Sequence, residues 1–110
     1  MSVYDTSDQK KQKRLEEIVA RQRWRCYYCD SPLLRWAFTY DHKTPLVRGG
    51  SNGGSNLCAC CKPCNQSKGH LTVPEFYAVL QEHKLTLPLN IPIREFHRLV
   101  RERFTWYDTI

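Results

Sequence analysis

The sequence predicts an α+β fold in which a β-hairpin and a short helix, pinned by a four-cysteine zinc site, are flanked by one N-terminal and two C-terminal helices. Three observations predict it: two CxxC steps lie far apart in the chain, two β-prone segments lie between them, and amphipathic patterns flank them. Because 110 residues leave room for one core, we expect a single domain over residues 1–110.

Charge and composition narrow the classes of partner and compartment. The formal net charge of +6 favours an anionic partner, of which nucleic acid is the commonest large one, although a merely solvated basic surface is the alternative. The chain has no apolar run long enough to span a membrane and no apolar core of a secretory signal, so we expect a soluble, cytoplasmic protein. In that reducing compartment the six cysteines favour metal ligation or buried thiols over disulfides.

The N-terminal helix is predicted over about residues 6–23. Leu15, Ile18 and Val19 recur at helical spacing among charged residues. With so few apolar residues on its stripe, the helix is expected to pack lightly. Its basic face either follows a phosphate backbone or, as is usual for a charged helix face, is simply solvated.

Four cysteines are candidate ligands of a structural zinc ion: Cys26, Cys29, Cys61 and Cys64. Two CxxC turns can present four thiolates in a tetrahedron at about 2.3 Å from the metal. A redox pair or free thiols are the alternatives, and Cys58 also stands at CxxC spacing from Cys61. The Lys62-Pro63 turn favours the second CxxC step as the ligand pair, so Cys58 and Cys60 are predicted to be small buried hydrophobes.

A β-hairpin with a long tip is predicted between the two cysteine pairs. Residues 36–40 are aromatic and β-prone, so a strand is expected to end at Asp41 and His42, and residues 56–60 return as its partner. The intervening residues are rich in glycine and serine and are unlikely to hold a regular element. The core is therefore expected over about residues 26–69.

Three more helices are predicted after the second CxxC step. A short one covers residues 65–68. A capping box of Thr72 and Glu75 begins the next, and the last begins near Pro92. These last two form a helical extension over about residues 72–107. Its outward arginines track phosphates, bind a protein partner or are solvated.

Several motifs occur here in a fixed order: the first CxxC step, Asp41-His42, PLVRGGS, Asn56-Leu57 and CKPCN with Lys68. This ordered set resembles the HNH endonuclease family, the ββα-metal or His-Me finger nucleases, in the variant with a four-cysteine zinc knuckle. The resemblance implies that His42 is the general base and that Asn56 braces the hairpin loop. It also implies that Asp41 and Asn65 hold one catalytic divalent ion. Some relatives have histidine where this chain has Asn65, and an amide oxygen beside a carboxylate suits Mg²⁺ or Mn²⁺.

The same residue types suit phosphodiester hydrolysis on chemical grounds. A neutral imidazole can take a proton from water near pH 7, and a divalent ion can stabilise the leaving oxygen. Consecutive strand residues point to opposite faces, so Asp41 and His42 can serve one phosphate only where the strand ends or bends. Alone, an Asp-His dipeptide would indicate a surface turn.

Four cations near the motif are candidate contacts to DNA phosphates: Lys43, Arg48, Lys62 and Lys68. Taken alone, each is interpreted as an ordinary surface cation, and only the four together indicate contact with the DNA backbone. Contacts to the backbone rather than to bases predict weak sequence preference and strong salt dependence.

Together these patterns predict a metal-dependent DNA endonuclease that nicks or cleaves phosphodiester bonds. The 5′-phosphate and 3′-hydroxyl products are what the resemblance implies. DNA is the expected partner, mainly through its phosphate backbone, and no motif indicates a protein partner. Two alternatives stay open: a catalytically silent zinc-knuckle module that binds DNA or protein, and a nuclease active only within a larger phage or restriction complex.

Overall fold

A computed structural model describes residues 6–109, and the side chains of residues 9–108. In this part of the chain a two-stranded antiparallel sheet is accompanied by four helices: α1 Thr6–Arg21, β1 Phe38–His42, β2 Leu57–Cys61, α2 Lys62–Lys68, α3 Val73–Glu82 and α4 Ile93–Arg103. Short 3-10 turns occur at Leu46–Arg48, Gly54–Asn56 and Tyr107–Thr109. The predicted α+β class and order of elements are confirmed.

The bounds of three core elements differ from the prediction, and β2 covers Leu57–Cys61 rather than residues 56–60. β1 begins at Phe38 rather than at residue 36. Phe38 pairs with Cys61, the last residue of β2, and the pairing of the two strands ends there because the chain enters α2 at the next residue. α2 begins at Lys62 rather than at residue 65, because Pro63 lies in its first turn, where a missing N–H costs nothing. Cys64 is therefore part of α2.

The register of the sheet decides which face each site residue occupies. Asp41 lies opposite Cys58, and His42 lies opposite Leu57. Since alternate residues point to opposite faces, Asp41 and Cys58 share the more deeply buried face, where they are 8% and 0% exposed. Cys60 is also fully buried, as predicted.

α1 is fastened to the sheet by polar contacts as well as by packing. The Gln22 amide donates to the Ala59 carbonyl at 2.8 Å and accepts from the Ala59 N–H at 2.9 Å. The Tyr40 hydroxyl donates to the Leu15 carbonyl at 2.9 Å, and Val19 is buried. The helix is thereby held across the outer side of the hairpin.

The two C-terminal helices close the other side of the core. The predicted capping box of Thr72 and Glu75 begins α3. Phe76 of α3 packs edge-on against Phe96 of α4, with ring centroids 5.8 Å apart. His97 Nε2 lies 3.1 Å from the carbonyl oxygen of Gln66, near the end of α2. Among the described residues, no helix combines the length and the apolar character that a bilayer crossing requires.

Candidate active site and metal centre

The loop between the strands is closed at its neck by Asn56. Its Oδ1 accepts from the Thr44 N–H at 2.9 Å, and its Nδ2 donates to the carbonyls of Thr44 at 2.9 Å and Ser51 at 2.8 Å. Gly50 lies against these hydrogen-bonded groups, since a Cβ there would lie 1.8 Å from the Thr44 carbonyl oxygen. The chain is thus fixed just beyond His42.

His42 is the last residue of β1 and is bonded to the loop. Its Nε2 lies 2.8 Å from Asn52 Oδ1. Because an amide oxygen can only accept, Nε2 donates in this contact, and in the neutral imidazole Nδ1 would then be the acceptor. A neutral imidazole with one free nitrogen is the form that a general base requires.

Asp41 is held in the core through one of its two carboxylate oxygens. Its Oδ2 accepts from the Tyr28 hydroxyl at 2.6 Å and lies 3.0 Å from Lys68 Nζ. Burial, with smaller contributions from Cys58 and Asp41, raises the pKa of Tyr28, so the phenol stays a donor. Both of these contacts are made by Oδ2, and Asp41 also lines a pocket.

Lys68, predicted to contact a DNA phosphate, is instead an interior residue. Its side chain is 0% exposed, and Nζ also donates to the His42 carbonyl at 2.9 Å. A buried ammonium needs such partners because its desolvation is costly. Lys68 therefore holds Asp41 and the end of β1 in place, away from solvent.

Arg48, also predicted to contact phosphate, is bound within the protein. Its two terminal nitrogens donate to the two Glu75 oxygens at 2.9 Å each, and its guanidinium carbon lies 4.1 Å from the Trp106 ring centroid. Although burial acts to raise the pKa of Glu75, hydrogen bonds from Arg48 and Thr72 lower it overall. Arg48 thus ties the loop to α3.

The other two predicted phosphate contacts are accessible. Lys62 is exposed at the start of α2. Lys43 is half-buried, with Nζ 4.9 Å from the centroid of the Tyr27 ring. Both ammonium groups lie within reach of a ligand at the surface, next to the segments that carry His42 and Asn65.

Asp41 and His42 line one pocket of about 250 Å³, together with Gly69, His70 and a loop segment over residues 45–47. Two neighbours with opposite orientations can share it because β1 ends at His42. His42 also lines a second pocket on the side of α1. Asn65 is not part of either lining; it is half-buried on α2, one turn before Lys68 and on the same side of the helix.

The four predicted zinc ligands meet between the first CxxC turn and the start of α2. All four Sγ atoms lie within 4.8 Å of one another. Cys29 Sγ is 3.8 Å from Cys61 Sγ, which matches the edge of about 3.8 Å of a tetrahedron with 2.3 Å zinc–sulfur bonds. The predicted clustering is confirmed, and the sulfurs can hold a zinc ion.

Hydrogen bonds prepare Cys26 for a metal. The backbone N–H groups of Tyr28, Cys29 and Cys61 lie 3.4, 3.5 and 3.4 Å from its Sγ. With the hydrogen bond from Cys64 as the largest cause, these contacts lower the pKa of Cys26 to about 4. Zinc binds thiolates, so a lowered pKa favours the ligating form of this sulfur. Burial raises the pKa of Cys58, outside the cluster, to about 11.

Three residues that contact the predicted site residues were not singled out for this role from the sequence: Tyr28, Asn52 and Glu75. Asn52 lies among glycines and serines, where an asparagine is typical of a turn. The sequence predicts only the capping-box role of Glu75. Tyr28 stands between two ligand cysteines, and that position was a usable signal, because a buried tyrosine needs a partner for its hydroxyl.

Comparison with known proteins gives two matches. A family model described as HNH endonuclease matches residues 26–80. The CRISPR-associated endonuclease Cas9 of Corynebacterium diphtheriae is 43% identical over 55 residues, which are 49% of this chain and 5% of that relative. The chain therefore spans only a small part of the relative's length, and the family match covers both CxxC steps, the hairpin, α2 and most of α3.

Proposed function

The chain belongs to the HNH endonuclease family, and from that premise we propose that it is a metal-dependent DNA endonuclease with His42 as its general base. One observation carries the proposal. Asp41 and His42 open onto the same pocket, and the bond to Asn52 leaves His42 Nδ1 as the free acceptor.

Asp41 and Asn65 are the residues that would hold the catalytic ion, Mg²⁺ or Mn²⁺. Asp41 offers Oδ1, since Tyr28 and Lys68 occupy Oδ2. Asn65 would offer an amide oxygen from α2, three residues before Lys68, whose Nζ lies 3.0 Å from Asp41 Oδ2. Two oxygen donors suit a hard cation. When bound, such an ion supplies positive charge that stabilises the leaving oxygen.

His42 takes the proton of the attacking water at Nδ1 while Nε2 donates to Asn52. The water oxygen forms the new bond to phosphorus and the bond from phosphorus to the 3′-oxygen breaks. The 3′-oxygen takes a proton from a solvent water, so the products are a 5′-phosphate and a 3′-hydroxyl. Asn56 keeps the loop closed so that the imidazole keeps its orientation. Lys43 and Lys62 bind other phosphates of the DNA backbone.

The four-cysteine cluster would hold a structural zinc ion that supports this chemistry indirectly. Cys64 is a member of the cluster and Asn65 follows it directly in α2. Zinc at the cluster would fix the start of the helix that carries Asn65 and Lys68.

Plasmid cleavage by purified, zinc-loaded protein tests the proposal. We expect nicked or linear DNA with Mg²⁺ or Mn²⁺ and intact plasmid when neither is added. Asn65→Ala should require more Mn²⁺ for half-maximal cleavage, whereas Gln66→Ala, which removes an amide from the neighbouring exposed position, should not. A silent zinc module would bind DNA without cutting it under any of these conditions.

The matched relative is a far longer protein, which favours a nuclease that works only in a larger assembly as the second candidate. In that case the isolated chain would not cleave plasmid but would still bind Mn²⁺, and Asn65→Ala would weaken that binding. Electron paramagnetic resonance of Mn²⁺ separates this case from the silent module, which would bind no Mn²⁺ at Asn65.

A further inference from the structure

The second pocket beside His42 contains two cations that the proposed mechanism does not use. We call it the α1 pocket; its volume is about 420 Å³, and its polar lining consists of Lys11, Arg14, Tyr40, His42 and Asn52. His42, the proposed general base, therefore lines both this pocket and the pocket that contains Asp41.

Both cations are held near His42 by the docking of α1. The Tyr40 hydroxyl bonds to the Leu15 carbonyl, which fixes the helix turn that contains Lys11 and Arg14. Arg14 also lies close to the hairpin loop at Gly54, since a Cβ there would lie 3.6 Å from its Cδ. Both residues are exposed, and neither forms an ion pair with another side chain of residues 9–108.

We propose that Lys11 and Arg14 form a phosphate-binding subsite that holds the DNA phosphate next to the one being cleaved. The proposal rests on the proposed function of His42. A DNA strand carries one negative charge per about 3.4 Å of helix axis, so a strand whose reacting phosphate meets His42 brings the next phosphate into the adjoining space. On the side of His42 that faces α1, the space for this next phosphate is the α1 pocket.

The subsite recognises backbone charge and not base identity. An ammonium and a guanidinium donate to phosphate oxygens, which are the same for every nucleotide. The subsite therefore adds affinity and fixes the position of the strand across His42 without selecting a sequence. Because it contacts a phosphate that does not react, its loss should raise KM while kcat changes little.

Lys13 provides a matched control on the same helix. At 100° per residue it lies on the side of α1 opposite the pocket, and it is exposed like Lys11 and Arg14. Replacing any of the three by glutamine removes one positive charge. General attraction between a basic helix and DNA would make the three changes equivalent.

Equilibrium binding to a DNA duplex at several salt concentrations, without added Mg²⁺ or Mn²⁺, tests the subsite. For Lys11→Gln and Arg14→Gln we expect the slope of log K against log[salt] to fall by about 0.9 each, as for one lost phosphate contact. Lys13→Gln should keep the wild-type slope. Equal effects of all three variants, or no effect of Lys11→Gln and Arg14→Gln, would overturn the subsite.

This readout is independent of cleavage. If wild-type protein fails to cut plasmid but the slopes separate as expected, the subsite stands and the nuclease proposal fails. If the slopes do not separate and cleavage still depends on His42, the nuclease proposal stands and the subsite fails.

Discussion

At the scale of single residues, the arrangement depends on which atoms of each polar side chain are already bonded. Asp41 uses Oδ2 for Tyr28 and Lys68, and His42 uses Nε2 for Asn52. Under the proposed mechanism, Asp41 Oδ1 and His42 Nδ1 are the atoms left for chemistry. Positioning residues that occupy the other atoms therefore determine what the two predicted active residues can do.

Changing Asn52 should alter the pH dependence of cleavage. In Asn52→Asp a carboxylate lies beside His42 Nε2 and favours the protonated imidazole, so the acid limb of the pH–rate profile should move up by about one pH unit or more. Asn52→Ala removes the bond without adding charge and should lower kcat with little movement of the limb. Both effects can be read from single-turnover rates between pH 5 and 9.

Ser55→Asp is the control for this experiment, because it adds a carboxylate at an exposed position elsewhere in the same loop. Its acid limb should coincide with that of the wild type. If Asn52→Asp also left the limb unchanged, Asn52 would not orient or influence the imidazole, and the assignment of Nδ1 as the acceptor would lose its basis.

Removing the charge of Lys68 should damage stability rather than DNA binding. Lys68→Met leaves Asp41 buried without its cation, a change that typically lowers the free energy of unfolding by about 3–5 kcal/mol. Lys62→Met, at an exposed position of the same helix, should change it by less than about 0.5 kcal/mol. Urea denaturation measures both. If Lys68→Met left stability unchanged and weakened DNA binding, the result would support the original prediction that Lys68 contacts a DNA phosphate.

At the scale of elements, α2 connects the two proposed metal centres. Its first turn contributes Cys64 to the cluster, and its last residue, Lys68, reaches Asp41 in β1. The hairpin loop is fixed in turn by Asn56 at its neck and by the bond from Arg48 to Glu75 of α3. Each element of the core is thereby held by a polar contact from another one.

Glu75→Gln should weaken the attachment of the loop to α3 in a pH-dependent way. The pKa of Glu75 is lowered from 4.5, so the Arg48 pair stabilises fully above that value and loses its contribution as the pH falls through the lower, folded value. At pH 7 we expect a loss of about 1–2 kcal/mol in the free energy of unfolding. The difference from wild type should shrink below about pH 4.5.

Glu82→Gln is the comparison for this variant. Glu82 pairs with Arg103 at 3.4 Å, but both side chains are about half exposed, so the pair should contribute little. Urea denaturation from pH 3 to 7 gives both values. A Glu75→Gln loss that stayed constant down to pH 3 would show that the carboxylate charge is not its source.

Local patterns allowed prediction of the parts of this structure that depend on nearby residues. The CxxC spacing predicted the cysteine cluster because zinc chemistry restricts both ligand type and separation. The start of α3 followed from a capping box within one turn. The burial of Lys68 could not be predicted in this way, because it depends on Asp41 across the fold. The contact between Asn52 and His42 could not be predicted either, because it depends on the loop conformation that Asn56 holds.

At the scale of the whole molecule, we propose that residues 1–110 fold as one domain around the cysteine cluster. Val19 of α1 and buried apolar residues of the hairpin, α3 and α4 belong to one core cluster that includes Cys26 and Cys64. A core of this size in so short a chain is modest, so a metal that joins two of its segments should contribute much of the stability.

Zinc removal should therefore affect the whole protein. We expect one zinc ion per chain and one cooperative thermal transition that falls to a lower temperature when a chelator removes the metal. Cys61→Ser should lose the zinc, whereas Cys58→Ala, at a buried position outside the cluster, should retain it. Metal analysis and calorimetry measure both. Zinc loss from Cys58→Ala, or two separate transitions, would contradict the single metal-pinned domain.

The most direct measurement of the central claim is the rate of plasmid cleavage by wild-type, His42→Ala and His83→Ala proteins of equal zinc content in Mg²⁺ or Mn²⁺. His83 is an exposed histidine at the end of α3, so its variant controls for the loss of an imidazole. We expect His42→Ala to cleave at least about a hundredfold more slowly than wild type and His83→Ala to cleave normally. Cleavage by His42→Ala at the wild-type rate would contradict the assignment of His42 as the general base.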